Sequence, residues 1–115
     1  MGGMLIYKIF REHEFADLLK NGETQGAPID VADGYVHLST GDQVASTLAK
    51  HFAGESGLTL LAVEADSLGG DLKWEVSRGN SLFPHLYRAL TTDDVVWYKP
   101  LKDSDHPSGF TPIWI

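Results

Sequence analysis

The first apolar run of the chain, Leu5-Ile6-Tyr7-Lys8-Ile9-Phe10, is rich in β-branched and aromatic residues and reads as a strand. A period of two puts Leu5, Tyr7 and Ile9 on one face and Ile6, Lys8 and Phe10 on the other. Lys8 is therefore a charge among apolar neighbours and must meet an open edge or a pocket. From Glu12 to Asn21 the spacing changes: Phe15, Leu18 and Leu19 recur as on a helix, and Gly22 follows as its C-terminal cap. Residues 23–34 carry Gly26, Pro28, Asp30, Asp33 and Gly34 and read as a loop.

Alternation returns over Tyr35 to Ser39. Val36 and Leu38 point to a core, while His37 and Ser39 point to something polar. Thr40-Gly41-Asp42-Gln43 has the hydroxyl-then-glutamine spacing of a capping box, and Val44, Leu48, His51 and Phe52 form one stripe of the helix that it opens, with Gly54 as its end. A strand feeding directly into a capped helix sets His37, Ser39 and Thr40 beside free backbone N–H groups, a place that suits an anion or polar ligand.

The most hydrophobic stretch, Leu58 to Ala65, predicts a central strand. Residues 66–70 make a turn, Leu72 to Val76 alternate again, and a second turn over 77–81 leads into an extended Leu82 to Leu86. Pro84 assigns that last segment to an edge or a bulge. Thr91 to Asp94 cap a single helical turn, and Val95 to Lys99 form a final strand stopped at Pro100. The order β-α-β-α-β-β-β-β predicts an α+β protein with two early helices and mostly antiparallel strands. Its 115 residues make one domain, with a core over about 4–101 and a tail over 102–115 whose Phe110, Ile113, Trp114 and Ile115 are apolar.

Composition narrows the function classes. With 43% hydrophobic and 22% charged residues there is material for a packed core. The absence of cysteine excludes disulfides and thiolate zinc sites and suits a reducing cytoplasm. The first apolar run is too short to span a membrane and lacks a preceding basic region, so neither membrane insertion nor a signal peptide is expected. Met4 is a candidate start. A net charge of -7 disfavours non-specific binding to phosphate backbones, although Lys8, Arg78 and Arg88 are available to one local basic site.

Functional groups are densest between Trp74 and Tyr87. Within that stretch Glu75, Arg78, His85 and Tyr87 stand among Trp74, Phe83 and Pro84. The segment from Asp33 to Thr40 has the same mixed character, and the two are expected to meet and line one pocket shared by His37, His85 and Glu75. His37 and His85 are the strongest histidines, each set in an apolar strand, with a hydrogen-bonded core histidine as the alternative. His13 and His106 lie in polar surroundings and read as solvated; His51, near a helix C-terminus, reads as structural. His37, His51, His85 and Glu75 would make a metal ligand set, but no HxH, HxxxH or HExxH spacing supports it, so no metal is expected.

Burial against Trp74 would raise the Glu75 pKa, whereas a salt bridge to Arg78 would lower it. Arg78-Gly79-Asn80 offers a guanidinium and backbone N–H groups to a phosphate. Tyr7, Trp74 and Tyr87 offer rings for stacking, or simply fill the core. Nucleophile-elbow, phosphate-loop and dinucleotide-fingerprint motifs are all missing. The partner expected from these residues is a small nucleotide or other anion.

The segments Ile6-Tyr7-Lys8-Ile9, Asp33 to Thr40, His51-Phe52-Ala53-Gly54, Trp74-Glu75 and Leu82 to Tyr87 resemble, in order, the bacterial domain-of-unknown-function family 952. Through it the chain resembles ADP-ribosyltransferases, which grip NAD between two small, mostly antiparallel sheets. Val36-His37-Leu38-Ser39 is also similar to a segment of RNA 2′-phosphotransferases. The resemblance implies NAD as cofactor, with Tyr7 and Lys8 at the first-strand position and His37 and Ser39 in the second-strand motif. Glu75 or His85 would fill the late catalytic role. Lys8, Ser39 and Arg78 would hold phosphates, Thr40 would lie beside them, and Trp74 or Tyr87 would stack on a ring. The first strand lacks the His or Arg that those enzymes carry there. A non-catalytic nucleotide or anion module and a histidine-based metal hydrolase are the alternatives.

Overall fold

The computed structural model describes residues 3–102, apart from the Arg78 side chain. The tail residues 103–115, with the apolar positions and His106 noted above, lie outside the described residues. The first strand, β1 (Leu5–Phe10), and the first helix, α1 (Glu12–Asn21), fall where the pattern puts them. Gly22 closes α1 in the left-handed conformation, φ 79°, with its N–H on Leu18 O. A two-residue strand, β2 (Glu23–Thr24), follows.

The expected loop over 23–34 is corrected next. Its second half is a short helix, α2 (Pro28–Asp33), with proline in its first turn and left-handed Gly34 after its end. Asp30 supplies the helix start from within, because its carboxylate accepts the Ala27 N–H at 2.8 Å. Proline's fixed φ and unneeded N–H suit that first turn, which is the signal a loop reading passes over.

The single strand expected over 35–39 is two. β3 (Val36–His37) pairs with one sheet and β4 (Ser39–Thr40) with another, so the chain changes sheets at Leu38. Thr40 then opens a 3-10 turn over Gly41–Gln43, its N–H held by Gln43 Oε1 at 3.0 Å. α3 (Val44–His51) continues from it and ends three residues earlier than Gly54 suggested.

The remaining strands are β5 (Thr59–Glu64), β6 (Leu72–Val76), β7 (Leu82–Leu86), β8 (Leu90–Thr91) and β9 (Val95–Pro100). They form a four-stranded sheet β4-β1-β5-β9, a three-stranded sheet β3-β7-β6 and the small pair β2-β8, antiparallel throughout. The chain is thus α+β, and β5 is an inner strand of the larger sheet as its hydrophobicity predicted. Both faces of that sheet are buried. Ile6 and Phe10 pack with Leu18, Val36, Leu61 and Leu86, while Tyr7 and Ile9 pack with Val44, Leu48, Phe52 and Leu60.

Pro84 departs from expectation, since β7 is the central strand of its sheet. The register explains how. β3 pairs with β7 only at Val36↔Leu86 and His37↔His85, and Leu38 then donates its N–H to Pro84 O at 3.0 Å. In an extended strand a residue's N–H and C=O point the same way, so the donor that proline lacks is missing where β3 has already turned away. The same departure leaves β1 uncovered beyond Tyr7, its last partner in β4, and a cleft opens between the two sheets.

Candidate functional site

The cleft has a volume of about 670 Å³, within the range of small-molecule sites. Its floor comes from β1 (Tyr7, Lys8) and from the crossover between the sheets (His37, Ser39). α3 supplies Thr47, Lys50 and His51; β7 supplies Phe83 and His85. The start of α1 brings its N-cap Arg11 and His13, and α2 brings Asp33. Tyr35 stands between the histidines, stacked on His85 at 4.2 Å and 27° and tilted against His37 at 4.6 Å.

Asp30, 1% exposed, is the hub beneath this wall. Its Oδ2 accepts from Lys8 Nζ at 2.7 Å and from the Ala27 N–H; its Oδ1 accepts from the His37 N–H at 3.0 Å and meets His37 Nδ1 at 2.6 Å. Burial by itself would raise the Asp30 pKa, but the His37 and Lys8 hydrogen bonds and the Lys8 charge outweigh it and leave the carboxyl below its ordinary value. For Lys8, desolvation wins over the pull of Asp30 and lowers the ammonium pKa. Lys8 also donates to His37 O at 3.0 Å, so a buried ion pair ties β1, α2 and β3 together. The far side of the His37 ring, Nε2, lies 3.0 Å from Asp33 Oδ2. A carboxylate only accepts, so serving both acids at once requires a proton on each ring nitrogen.

His85 is the opposite arrangement. It sits directly across from His37 in the sheet, ring centroids 5.3 Å apart, but only 3% exposed. Its Nδ1 lies 2.8 Å from Glu75 Oε1, and the same oxygen accepts the Tyr87 hydroxyl at 2.7 Å. Hydrogen bonds from Tyr87 and then His85 lower the Glu75 pKa, and Glu75 in turn pushes Tyr87 up to about 12. Of the two directions weighed in the sequence, the lower one holds, with Tyr87 and His85 as its sources, while desolvation acts against it. Successive residues of a strand face opposite sides, so Trp74 and Glu75 point apart. No hydrogen-bond partner occupies His85 Nε2 among the described residues.

Of the residues singled out in the sequence, Tyr7, Lys8, His37, Ser39 and His85 line one cleft. Glu75 and Tyr87 are not in the cleft wall; Glu75 holds His85 by its Nδ1, and Tyr87 packs on Tyr35 as well as donating to Glu75. Trp74, 39% exposed, is not part of the wall. Thr40 lines a neighbouring cavity. Arg78's side chain lies outside the described residues, and Arg88 is engaged elsewhere, by Asp94 at 2.8 Å. His13 is exposed, as read; His51, read as structural on the apolar stripe of its helix, is exposed too, and both belong to the cleft wall.

Asp30, Arg11, Thr47 and Lys50 were passed over, and Asp33 and Tyr35 were included only as part of the segment expected to line the pocket, without a role of their own. Asp30 had a local signal, an acid two residues after a proline and four before a glycine. The others come together only in three dimensions. No group of three or more histidines and carboxylates converges as a metal cage among the described residues, and the two ring nitrogens of His37 are already engaged.

Two antiparallel sheets parted by a histidine-lined cleft define the class: a small α+β protein with a cleft between its sheets. The chain belongs to the family described as "Protein of unknown function (DUF952)", whose profile matches residues 9–98. It is similar to the crystal structure of protein CC0527 from Caulobacter crescentus, with 49% identity and a TM-score of 0.83 over 85% of this chain and 86% of that one. The solution structure of CC0527 is 47% identical with a TM-score of 0.77, covering 90% of each chain. A double mutant of CC0527 gives 48% and 0.83 over the same shares as the first. No curated protein matches. Function therefore has to be argued from the cleft.

Proposed function

We propose that the cleft holds a small nucleotide-like anion and that His85 exchanges a proton with it. The observation that carries this reading is a buried imidazole lining a cavity of about 670 Å³, its Nδ1 claimed by Glu75 and its Nε2 without a hydrogen-bond partner among the described residues. A carboxylate on Nδ1 fixes the tautomer with its proton there and leaves the Nε2 lone pair for a ligand, the division of labour seen in catalytic carboxylate–histidine pairs. In this scheme Glu75 is a positioning residue. Lys50 and His13 have no ion-pair partner among the described residues, and together with Arg11 and His51 they favour an anion at the mouth. Tyr35, Phe83 and Phe52 offer apolar surface to a base or sugar.

ADP-ribosyl transfer from NAD is the reaction for which the family resemblance argues, and two antiparallel sheets flanking a cleft are compatible with it. NAD is therefore the first ligand to screen. A second reading, a binding module without turnover, is favoured by a separate observation. The carboxylates in the cleft wall, Glu14 and Asp33, are tied to Arg11 and His37, so an acid able to stabilise an oxocarbenium-like state would first have to be released.

The test combines thermal-shift screening with two variants. NAD, ADP-ribose or a mononucleotide at a hundred times its dissociation constant should add about 2.7 kcal/mol of stability. With a ligand in hand, His85→Asn should lower any turnover by about 10²- to 10⁴-fold, and Glu75→Gln should lower it with ligand affinity retained. Binding that persists in both variants with no turnover in the wild type selects the binding module. No stabilisation by any of these ligands would end the nucleotide reading.

A further inference from the structure

A second cavity, about 770 Å³, adjoins the cleft along α3. Two residues, Lys50 and Phe83, line both. The two cavities therefore adjoin along a boundary set by Lys50 and Phe83, and are taken together as one trough. Gln43 braces the second half. Its Oε1 takes the Thr40 N–H and its Nε2 donates to Leu82 O at 2.8 Å, so the start of α3 is strapped to the start of β7. The remaining wall is small or hydroxylated, with Ser46, Ala49, Gly79 and Ser81, and it carries one acid, Asp42.

The charges along the trough are ordered. Lys50 is exposed and has no ion-pair partner among the described residues. Asp42 stands eight residues earlier, roughly 12 Å along the helix direction. An anionic group is attracted to the boundary and repelled from the far end, so a ligand filling both halves carries its negative charge in the middle. Its outer part is neutral or cationic, with hydroxyls or amides to meet the serines.

Resting on the nucleotide reading of the cleft, we infer that the natural ligand is a two-part molecule: two ring- or sugar-sized groups joined through a phosphate-type anion held at Lys50. The second cavity receives the outer group. For a transfer reaction this is where the leaving group or the acceptor sits; for a binding module it sets specificity.

The probes are ADP, which has one ring-bearing part, and NAD, which has two joined by a pyrophosphate. Calorimetry on the wild-type chain should show NAD binding at least about tenfold more tightly than ADP, because the second group is tethered beside its site. Ala49→Trp and Ser46→Phe, both at exposed helix positions lining only the second cavity, should abolish that gain. ADP binding should stay unchanged, which also reports that the variants fold. Lys50→Ala should weaken both probes. Equal affinities for the two probes, or an NAD preference that survives both blocking variants, would overturn the two-part ligand and leave the cleft's nucleotide reading intact. Failure of the wild-type chain to bind either probe would overturn both.

Discussion

Two carboxylate–imidazole pairs stand side by side, their imidazoles on neighbouring strands of one sheet, with their burial reversed. In Asp30–His37 the acid is sealed and the imidazole side chain is 27% exposed; in Glu75–His85 the imidazole is sealed and the acid is 39% exposed. A buried carboxylate needs several donors, and Asp30 has four, from β1, β3 and the start of α2. That pair is a joint. An exposed carboxylate is cheap to keep charged, so Glu75 can be spent on one task, orienting a buried ring whose other nitrogen is left open. The same two side-chain chemistries give structure on one strand and a candidate reactive group on the next, according to which partner water reaches.

Asp30→Ala should break this comparison hardest. It strands the Lys8 ammonium in a dry site, and removing one partner of a buried pair costs about 3–5 kcal/mol. Urea denaturation would measure it, and a loss below about 1 kcal/mol, the size of an ordinary surface pair, would deny Asp30 its role as joint. Lys8→Met should cost less, about 1–3 kcal/mol, because Asp30 keeps three other donors while losing a charged one. Equal losses for the two variants would mean that the ion pair alone, and not the backbone N–H groups, holds the corner.

Acid should reveal the same joint more gently. The folded-state pKa of Asp30 lies below its ordinary value, so the unfolded chain binds more protons in that range. Its stabilising contribution is complete above the unfolded pKa, about 3.9, and is lost as pH falls through the lower folded value. Asp94, lowered by hydrogen bonds from Arg88 and the Thr91 N–H against its own partial burial, acts in the same direction. Denaturation followed from pH 5 downwards should steepen below about pH 4, and Asp30→Asn should flatten that slope. An unchanged slope in the variant would assign acid lability to other carboxylates. The smallest effect is expected at the other pair. Tyr87→Phe removes one of two donors to Glu75, so the Glu75 pKa should rise while the fold and the His85 contact persist. Carboxyl-carbon NMR titration reads it directly, and a Glu75 pKa that does not move would show that Tyr87 contributes nothing to the dyad.

What could be read from the residues in order was whatever depends on neighbours in sequence. β1, α1 with its Gly22 cap, the hydrophobic β5 and the Thr40–Gln43 brace all rest on periodicity or on contacts a few positions apart. The pairing of two polar-faced segments was also legible, because His37, Ser39 and His85 each interrupt an apolar run and an interruption of that kind needs a polar place to face. α2 was missed because six residues are too few for a helical period to show, and its apolar Ile29 and Val31 are exposed rather than set on a buried stripe.

Burial decided the rest, and burial is a property of distant partners. Nothing local tells that Asp30 will be sealed by β1 while Glu75 stays wet, or that the chain changes sheets at Leu38 and so lets a proline stand in a central strand. Lys50 and Phe83, 33 positions apart in the numbering, come to line the same two cavities only once the chain has folded. Local periodicity determined most of the elements and which side chains need a polar environment; the tertiary arrangement alone determined the order of the strands in their sheets and which side chains water reaches, and with it which carry the fold and which are left open for chemistry.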